Sequence, residues 1–207
     1  GTAWQVGGGG QRLLLDLGRV REFGGLRLQW DEGGHASAYE VALSDDGHGW
    51  RTVREVVEGT GGTDWIALPE SRARWLAIAP QAGPGAGFAL AEAELLPLEF
   101  SSHPNEVVKA IAGEHPRGWF PRGFSGERPY WTVLGVDGGG QQGLIGEDGA
   151  LEVSRGGFSV EPFVLVDGEL VTWADVEVGQ SLLDGYLPVP GVDWNHGKFD
   201  LEVTAFA

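Results

Sequence analysis

The sequence predicts an all-β chain built from short antiparallel strands. Three observations support this fold class: short apolar segments recur along the chain, turn residues separate them at regular intervals, and glycine accounts for 36 of 207 residues. Glycine permits the tight turns that connect strands. Apolar residues make up 42% of the chain, which is enough to fill a core. The length suits one large β domain or two small ones.

The first half contains seven strand candidates. Apolar Leu26, Leu28 and Trp30 alternate with Arg27 and Gln29, which is the period of a half-buried strand. Turn residues such as Asp-Asp-Gly lie between the candidates. The seven candidates are Gln11–Gly18, Gly25–Trp30, Ala38–Ser44, Trp50–Val57, Asp64–Leu68, Arg74–Ala79 and Ala89–Leu96.

One helix is expected at roughly Pro104–Ala112. Ser102 or His103 can cap its start, and Gly113 and Pro116 stop it. We therefore place a domain boundary near Phe100, with a first β-sandwich at 1–99, a linker helix within 100–116 and a second β-sandwich at 117–207.

The second half returns to strands separated by turns. Its last segment alternates apolar and polar residues up to the end of the chain, so we expect this sandwich to be truncated there. The candidates are Trp131–Val136, Gln142–Ile145, Ala150–Val153, Phe158–Leu165, Glu169–Val176, Gln180–Leu183, Pro188–Trp194 and Lys198–Ala207.

Composition excludes several classes of function. The formal net charge of −16 repels phosphate backbones and anionic membranes, so we expect no nucleic acid and no membrane insertion. The chain lacks cysteine, which excludes disulfides, zinc-thiolate sites and thiol nucleophiles. It also lacks methionine, so we expect a processed or excised piece of a longer protein; a secreted or periplasmic location is favoured.

Six segments of the first half occur in an order and spacing that resemble a discoidin domain, also called the coagulation factor V/VIII type C domain. The resemblance covers residues 1–98 and implies a jelly-roll β-sandwich that lacks the family's opening strand and its Asp-Gly loop. The segments are Thr2–Trp4, Leu13–Gly18, Leu26–Trp30, Tyr39–Gly47 followed by Trp50, Arg74–Leu76 and Phe88–Leu95.

Three segments between residues 116 and 207 are similar to the β-sandwich that precedes an α/α-toroid catalytic domain in some bacterial glycoside-acting enzymes. They are Pro116–Arg122, Tyr130–Gly135 and Pro162-Phe163. This resemblance implies that the catalytic acids lie beyond Ala207 and that the chain contacts a missing downstream domain.

The discoidin resemblance also implies a structural calcium ion. By position its ligands are Thr2, the carbonyl of Ala91 and Glu92. Calcium takes about six to eight oxygen ligands, and the Asp-Gly loop that supplies some of them is absent here. An occupied site and an empty one therefore both remain open.

Nine tryptophans suggest aromatic platforms for sugars, because indole faces pack against the C–H faces of a pyranose. In the first half we single out Trp65, with His35 and Arg74 as polar partners. In the second half Trp194, Asn195 and His196 form a cluster that we expect in a loop. A polar turn with one packed tryptophan is the alternative for this cluster.

Catalytic patterns are weak. Gly138–Gly143 fits G-x-G-x-x-G, but strand and turn residues follow it where a dinucleotide site requires a helix. Glu92 and Glu94 share one face of a strand, where carboxylates usually meet solvent. We expect a non-catalytic carbohydrate-binding module with a second β-sandwich from a larger bacterial carbohydrate-active protein. The alternative is a structural or protein-interaction module that positions a missing domain.

Overall fold

The computed structural model describes residues 4–6, 11–32, 34–82 and 87–207. The chain divides into a first compact unit that ends at Ile111 and a second that begins at Ala112. Strands dominate both units, so the expected all-β class is confirmed.

Among its described residues, the first unit contains six strands, a short 3-10 helix and the expected α-helix. The boundaries are β1 (Trp4–Val6), β2 (Leu13–Trp30), β3 (Ala38–Ser44), β4 (Arg51–Val56), β5 (Thr63–Ala82), β6 (Phe88–Leu96), the 3-10 helix (Leu98–Ser101) and α1 (Pro104–Ala112).

All six strands belong to one antiparallel sheet in the order β1-β6-β2-β5-β3-β4. The long strands β2 and β5 pair along most of their length, with register shifts between Asp16 and Arg21 and between Phe23 and Gly25. Such shifts bend a sheet. The two halves of the sheet consequently bury their inner faces in one shared core, as in a β-sandwich.

The core of the first unit follows the alternation read from the sequence. Leu26, Leu28 and Trp30 of β2 are buried together with Val41 and Leu43 of β3. Each fully buried leucine or valine stabilises the fold by about 1.5–3 kcal/mol. Hydrophobic burial on one face of each strand therefore holds the sandwich closed.

Two pairs of predicted strands are continuous in the structure. Gln11–Gly18 joins Gly25–Trp30 as β2, and Asp64–Leu68 joins Arg74–Ala79 as β5. The reason is pairing across the bend, where Arg21 to Phe23 of β2 continue to face β5. Local turn residues predicted an interruption that long-range hydrogen bonding overrides.

The shift after Asp16 is fixed by a carboxylate clamp. Between Asp16 and Arg21 four residues of β2 stand opposite the single residue Arg74 of β5. Arg74 donates from Nε and Nη2 to the two oxygens of Asp16, both at 2.8 Å. The amide of Gly18, whose φ of +76° favours glycine, donates to the same carboxylate at 2.9 Å. These bonds lower the pKa of Asp16 to about 2, first through Arg74 and then through Gly18.

The second unit contains nine short strands and two 3-10 helices. The boundaries are a 3-10 helix (Arg122–Ser125), β7 (Trp131–Leu134), β8 (Gly143–Gly146), β9 (Leu151–Glu152), β10 (Ser159–Val160), β11 (Val164–Val166), β12 (Glu169–Val171), β13 (Glu177–Leu182), a 3-10 helix (Leu183–Gly185), β14 (Pro190–His196) and β15 (Phe199–Thr204).

These strands form a four-stranded sheet in the order β10-β9-β8-β7, a β11-β12 hairpin and a three-stranded sheet in the order β13-β14-β15. One core connects them, with Leu134, Ile145, Trp173, Val192 and Trp194 at its centre. The predicted strand Phe158–Leu165 is divided into β10 and β11.

We expect Gly25→Ala to destabilise the first unit. A Cβ on Gly25 would lie 2.7 Å from the carbonyl oxygen of Ile66 and would overlap the ring of Phe100. Overpacking of this kind costs about 1–3 kcal/mol. Gly49→Ala is the matched control, because its Cβ would meet only Asp46 Oδ1 at 3.9 Å. Urea unfolding of both variants checks this; equal midpoints would contradict the packing described here.

Replacing Arg74 should release the carboxylate clamp. In Arg74→Ala we expect the pKa of Asp16 to rise from about 2 toward its ordinary value of 3.8, because the largest cause of its lowering is removed. The Gly18 hydrogen bond should keep it from rising the whole way. Carboxyl-carbon NMR titration of both proteins measures the shift. An unchanged Asp16 titration would mean that Arg74 does not hold this carboxylate.

Candidate functional site

Trp65 lies on β5, and its ring contacts the side chains of Phe100 and Arg27. The ring of Phe100 stacks on it at 6.1 Å between centroids, and the guanidinium of Arg27 lies 5.7 Å from its centroid. Arg27 is also its cross-strand partner. The indole is therefore half-buried and engaged in contacts within the first unit.

The two polar partners expected for Trp65 are not brought to it. Arg74 is nine positions further along β5, where its Nε and Nη2 donate to Asp16. His35 is half-buried in the connection between β2 and β3. Its ring lies next to Gly61, because a Cβ built on Gly61 would be 2.8 Å from Nδ1 of His35. In the described part of the chain these three residues form no hydrogen bond or ring contact with one another.

The predicted calcium ligands are incomplete among the described residues. Thr2 lies outside the residues that the structure describes. Ala91 and Glu92 are exposed on β6, and Arg27 lies 3.9 Å from the Glu92 carboxylate and 3.0 Å from that of Glu94. No group of three or more acidic or histidine side chains in the described part of the chain fits a metal ion. Calcium binding therefore remains a prediction, because Ala91 and Glu92 alone supply too few oxygen ligands for the ion.

The cluster at Trp194 is part of a strand. The segment that we expected in a loop belongs to β14, paired with β13 and β15, which corrects that expectation. Trp194 is fully buried, and its Nε1 donates to the carbonyl oxygen of Asp148 at 3.0 Å. Asn195 is exposed, whereas the ring of His196 packs at 5.0 Å from that of Phe199 and its buried Nδ1 has no hydrogen-bond partner. Trp194 thus acts as a core residue, the alternative left open above.

A cleft of about 290 Å3 opens in the second unit, in a place that sequence reasoning missed. The exposed rings of Tyr130 and Trp131 stand beside it at the start of β7. Trp131 is the cross-strand partner of Gly146, and a Cβ at Gly146 would lie 3.3 Å from the indole. Glycine at this position therefore leaves room for the tryptophan ring.

Polar groups complete the cleft. Thr132, Gln180, Ser181 and Glu147 line it together with the apolar Ile145, Leu182, Pro190 and Val192 and the glycines Gly146 and Gly191. The amide nitrogen of Gln180 donates to the carbonyl oxygen of Glu147 at 3.3 Å, which connects β13 to the turn after β8. Aromatic rings beside hydroxyl and amide groups are the usual composition of a small-molecule site.

An arginine holds the turn that carries Glu147. Arg122 donates to both oxygens of the buried Asp148, from Nε at 2.8 Å and from Nη2 at 2.6 Å. Its Nη1 donates to Glu127 at 2.7 Å, and its Nε lies 3.2 Å from Glu147. The strong pairing with Asp148 raises the pKa of Arg122, so it stays charged.

Two guanidinium groups stack against one indole near this turn. Arg117 lies 4.4 Å and Arg122 lies 4.2 Å from the ring centroid of Trp173. Glu127 accepts hydrogen bonds from both arginines, which offsets their mutual repulsion. The network fixes the irregular chain before β7 onto the core of the second unit.

The sequence contains one signal for the cleft, the consecutive aromatic residues Tyr130 and Trp131. This local signal does not predict that Trp131 pairs with Gly146 or that Gln180 lines the same cleft, because both depend on contacts between residues far apart in the chain. Within the part of the chain that the structure describes, no helix is long and apolar enough to cross a membrane.

Glu161 should make the second unit less stable as pH rises. Burial, and secondarily the charge of Asp148, raises its pKa from 4.5 to about 7. Between these values the unfolded chain has released the proton and the folded chain retains it, so stability falls with pH through this window. We expect Glu161→Gln to unfold at a higher temperature than the parent at about pH 8 and at a similar one at about pH 4. A difference that does not change with pH would contradict the buried carboxyl.

Comparison with known proteins supports the resemblance noted above. The family model of the F5/8 type C domain matches residues 1–93. No curated protein matches the chain.

Three similar solved structures illustrate the range of resemblance. Chitosan-binding module 2 of a chitosanase/glucanase from Paenibacillus sp. IK-5, in complex with chitotriose, is 24% identical over 46% of this chain and 77% of that one, with a TM-score of 0.43. Module 1 of the same enzyme is 25% identical over 45% and 75%, with a TM-score of 0.42. A CBM32 module from Clostridium perfringens in complex with GalNAc-β-1,3-galactose is 20% identical over 41% and 64%, with a TM-score of 0.38. Residues 1–93, just under half of the chain, are similar to the F5/8 type C family, the discoidin domains.

Proposed function

We propose that this chain is a non-catalytic carbohydrate-binding region of a larger bacterial carbohydrate-active protein. The observation that carries the proposal is the cleft of the second unit, where Tyr130 and Trp131 stand beside Gln180 and Ser181. The F5/8 type C domain of the first unit supports the same class of function through the resemblance described above.

The dimensions and chemistry of the cleft suit a neutral sugar. Its volume of about 290 Å3 lies just below the usual range of ligand sites, roughly 300–1,000 Å3, and so suits a small ligand. The exposed Trp131 ring offers an apolar face for sugar C–H groups. The amide of Gln180 and the hydroxyls of Thr132 and Ser181 can donate to and accept from sugar hydroxyls.

Glu147, which lines the cleft, and the neighbouring Asp148 both contact an arginine. Glycoside hydrolysis requires two carboxyl groups, one acting as acid and the other as base or nucleophile. Both oxygens of Asp148 are bound by Arg122, and Glu147 lies 3.2 Å from the same guanidinium. The contacts of both carboxylates with Arg122 support a binding role for the cleft.

The proposal includes two features expected from the sequence. A secreted or periplasmic location would bring the chain to extracellular glycans. A structural calcium at Thr2, Ala91 and Glu92 would stabilise the first unit without contributing to the cleft.

A second candidate function is the positioning of another domain. The second unit exposes large apolar side chains, with 61% of Val133, 66% of Phe158, 72% of Leu165 and 79% of Phe206 accessible. Exposed apolar surface of this kind favours contact with a partner. In this reading the chain contacts a further domain and binds no sugar.

Replacing Trp131 should weaken sugar binding. Calorimetric titration of the chain with a panel of neutral saccharides, including chitotriose and GalNAc-β-1,3-galactose, should identify a ligand. We expect Trp131→Ala to lower the affinity for that ligand about tenfold or more, because the aromatic face that stacks on the sugar is lost.

Phe158→Ala is the matched control, since Phe158 is an exposed aromatic residue of the same unit that does not line the cleft. Circular dichroism should show that both variants remain folded. Equal losses of affinity in the two variants, or no binding of any saccharide by the parent, would overturn the proposal and favour the positioning role.

A further inference from the structure

Four exposed arginines gather at the bend of the first unit's sheet. Arg19 and Arg21 lie on the shifted segment of β2, Arg72 lies opposite on β5, and Arg51 donates from Nη2 to the carbonyl oxygen of Arg72 at 3.4 Å. The first three, with Val20 and Glu22, line an open cavity of about 520 Å3. We call these four arginines and this cavity the arginine basin.

The basin is unusual because the chain is acidic. Asp and Glu number 30 against 14 Lys and Arg, so carboxylates are abundant as partners. Elsewhere in the first unit, Arg27 and Arg74 are ion-paired at 3.0 and 2.8 Å, whereas the scattered Arg12 and Arg54 form no ion pair in the described part of the chain. In the part of the chain that the structure describes, the basin arginines form no ion pair within 4.0 Å.

Glu22 is the acid that lines the cavity, but it does not neutralise the charge of the basin. It stands directly opposite Arg72 in the pairing of β2 with β5, but the two side chains form no ion pair within 4.0 Å. With Glu22 counted, the basin retains a formal charge of +3. An anion bound in this cavity would be attracted by the net positive charge of the residues around it.

The carboxylate clamp fixes the geometry of the basin. Asp16 binds Arg74 and the amide of Gly18, and this holds the segment that carries Arg19 and Arg21. The Nε of Arg21 also donates to the carbonyl oxygen of Leu17 at 3.4 Å. The guanidinium groups are therefore carried on a backbone that is ordered before any ligand arrives, which lowers the cost of binding.

We propose that the arginine basin binds the acidic group, carboxylate or sulfate, of an anionic saccharide. Arginine forms paired hydrogen bonds to planar carboxylates and to sulfate oxygens. The saccharide class rests on the proposed function, whereas the anion site rests on the basin itself. It is separate from the cleft of the second unit, which lacks exposed arginine.

The surroundings favour a saccharide over a membrane or a nucleic acid. The chain's net charge of −16 repels extended anionic surfaces, so a small local site accepts an isolated acidic group more readily than a dense polyanion. Val20, 42% exposed, is the single apolar residue that lines the cavity. Membrane-docking surfaces combine basic residues with several apolar or aromatic side chains.

The test compares trigalacturonate with maltotriose, an uncharged trisaccharide of the same length, by calorimetry and by NMR of arginine Nε–H groups. We expect the parent chain to bind trigalacturonate and to lose this binding as salt is added. The double variant Arg19→Gln/Arg72→Gln should weaken it by about tenfold or more, since two charged hydrogen-bonding partners are removed. Maltotriose should not perturb the basin arginines.

Arg54→Gln is the matched control, because Arg54 is an exposed arginine of the same unit on β4, outside the basin. It should leave trigalacturonate affinity unchanged within about twofold. Trp131→Ala should also leave it unchanged, and the double variant should retain any neutral ligand of the cleft. These variants therefore distinguish an absence of neutral-sugar binding in the cleft from an absence of anion binding in the basin.

Three results would overturn the proposal. They are no binding of trigalacturonate at low salt, equal binding by the parent and the double variant, and equal losses in the double variant and Arg54→Gln. Binding through the basin arginines to phosphatidylserine-containing vesicles, with none to trigalacturonate, would overturn the saccharide in favour of a lipid headgroup.

Discussion

A bidentate arginine–aspartate pair fixes irregular backbone in each unit, and both candidate surfaces depend on one of these pairs. In the first unit Arg74 and Asp16 hold the shifted segment of β2, which carries the arginine basin. In the second unit Arg122 and the buried Asp148 hold the turn beside the cleft. Paired hydrogen bonds between planar ionic groups restrict orientation as well as distance. The clamps therefore specify geometry where regular strand pairing ends.

The distribution of charge separates structural arginines from available ones. Arg74, Arg117 and Arg122 are matched to carboxylates, and the pKa of each is raised by that pairing. The basin arginines are left exposed in a chain with twice as many acids as bases. Pairing of exposed ions contributes little to stability, so leaving these arginines unpaired costs the fold little. It leaves a surface suited to an anion.

The sequence predicted most strands well, because the alternation of apolar and polar residues is itself the pattern of burial. β3 begins and ends where the sequence placed it, and α1 has the expected boundaries. The surroundings of the candidate site residues could not be predicted in the same way. Trp194 and Trp65 have the residue type of a sugar platform, but one is fully buried and the other is covered by Phe100. Residue type does not report which face of an aromatic ring remains open.

By itself, the sequence determined the all-β class, the discoidin resemblance of the first unit and the acidic charge, since each follows from local pattern or composition. Tertiary structure alone decided that β2 and β5 run through the bend, that Trp131 faces Gly146, and that Arg19 and Arg72 line one cavity. The physical reason is the same in each case. These contacts join residues far apart in the chain, and their formation depends on register and bending that local propensity does not encode.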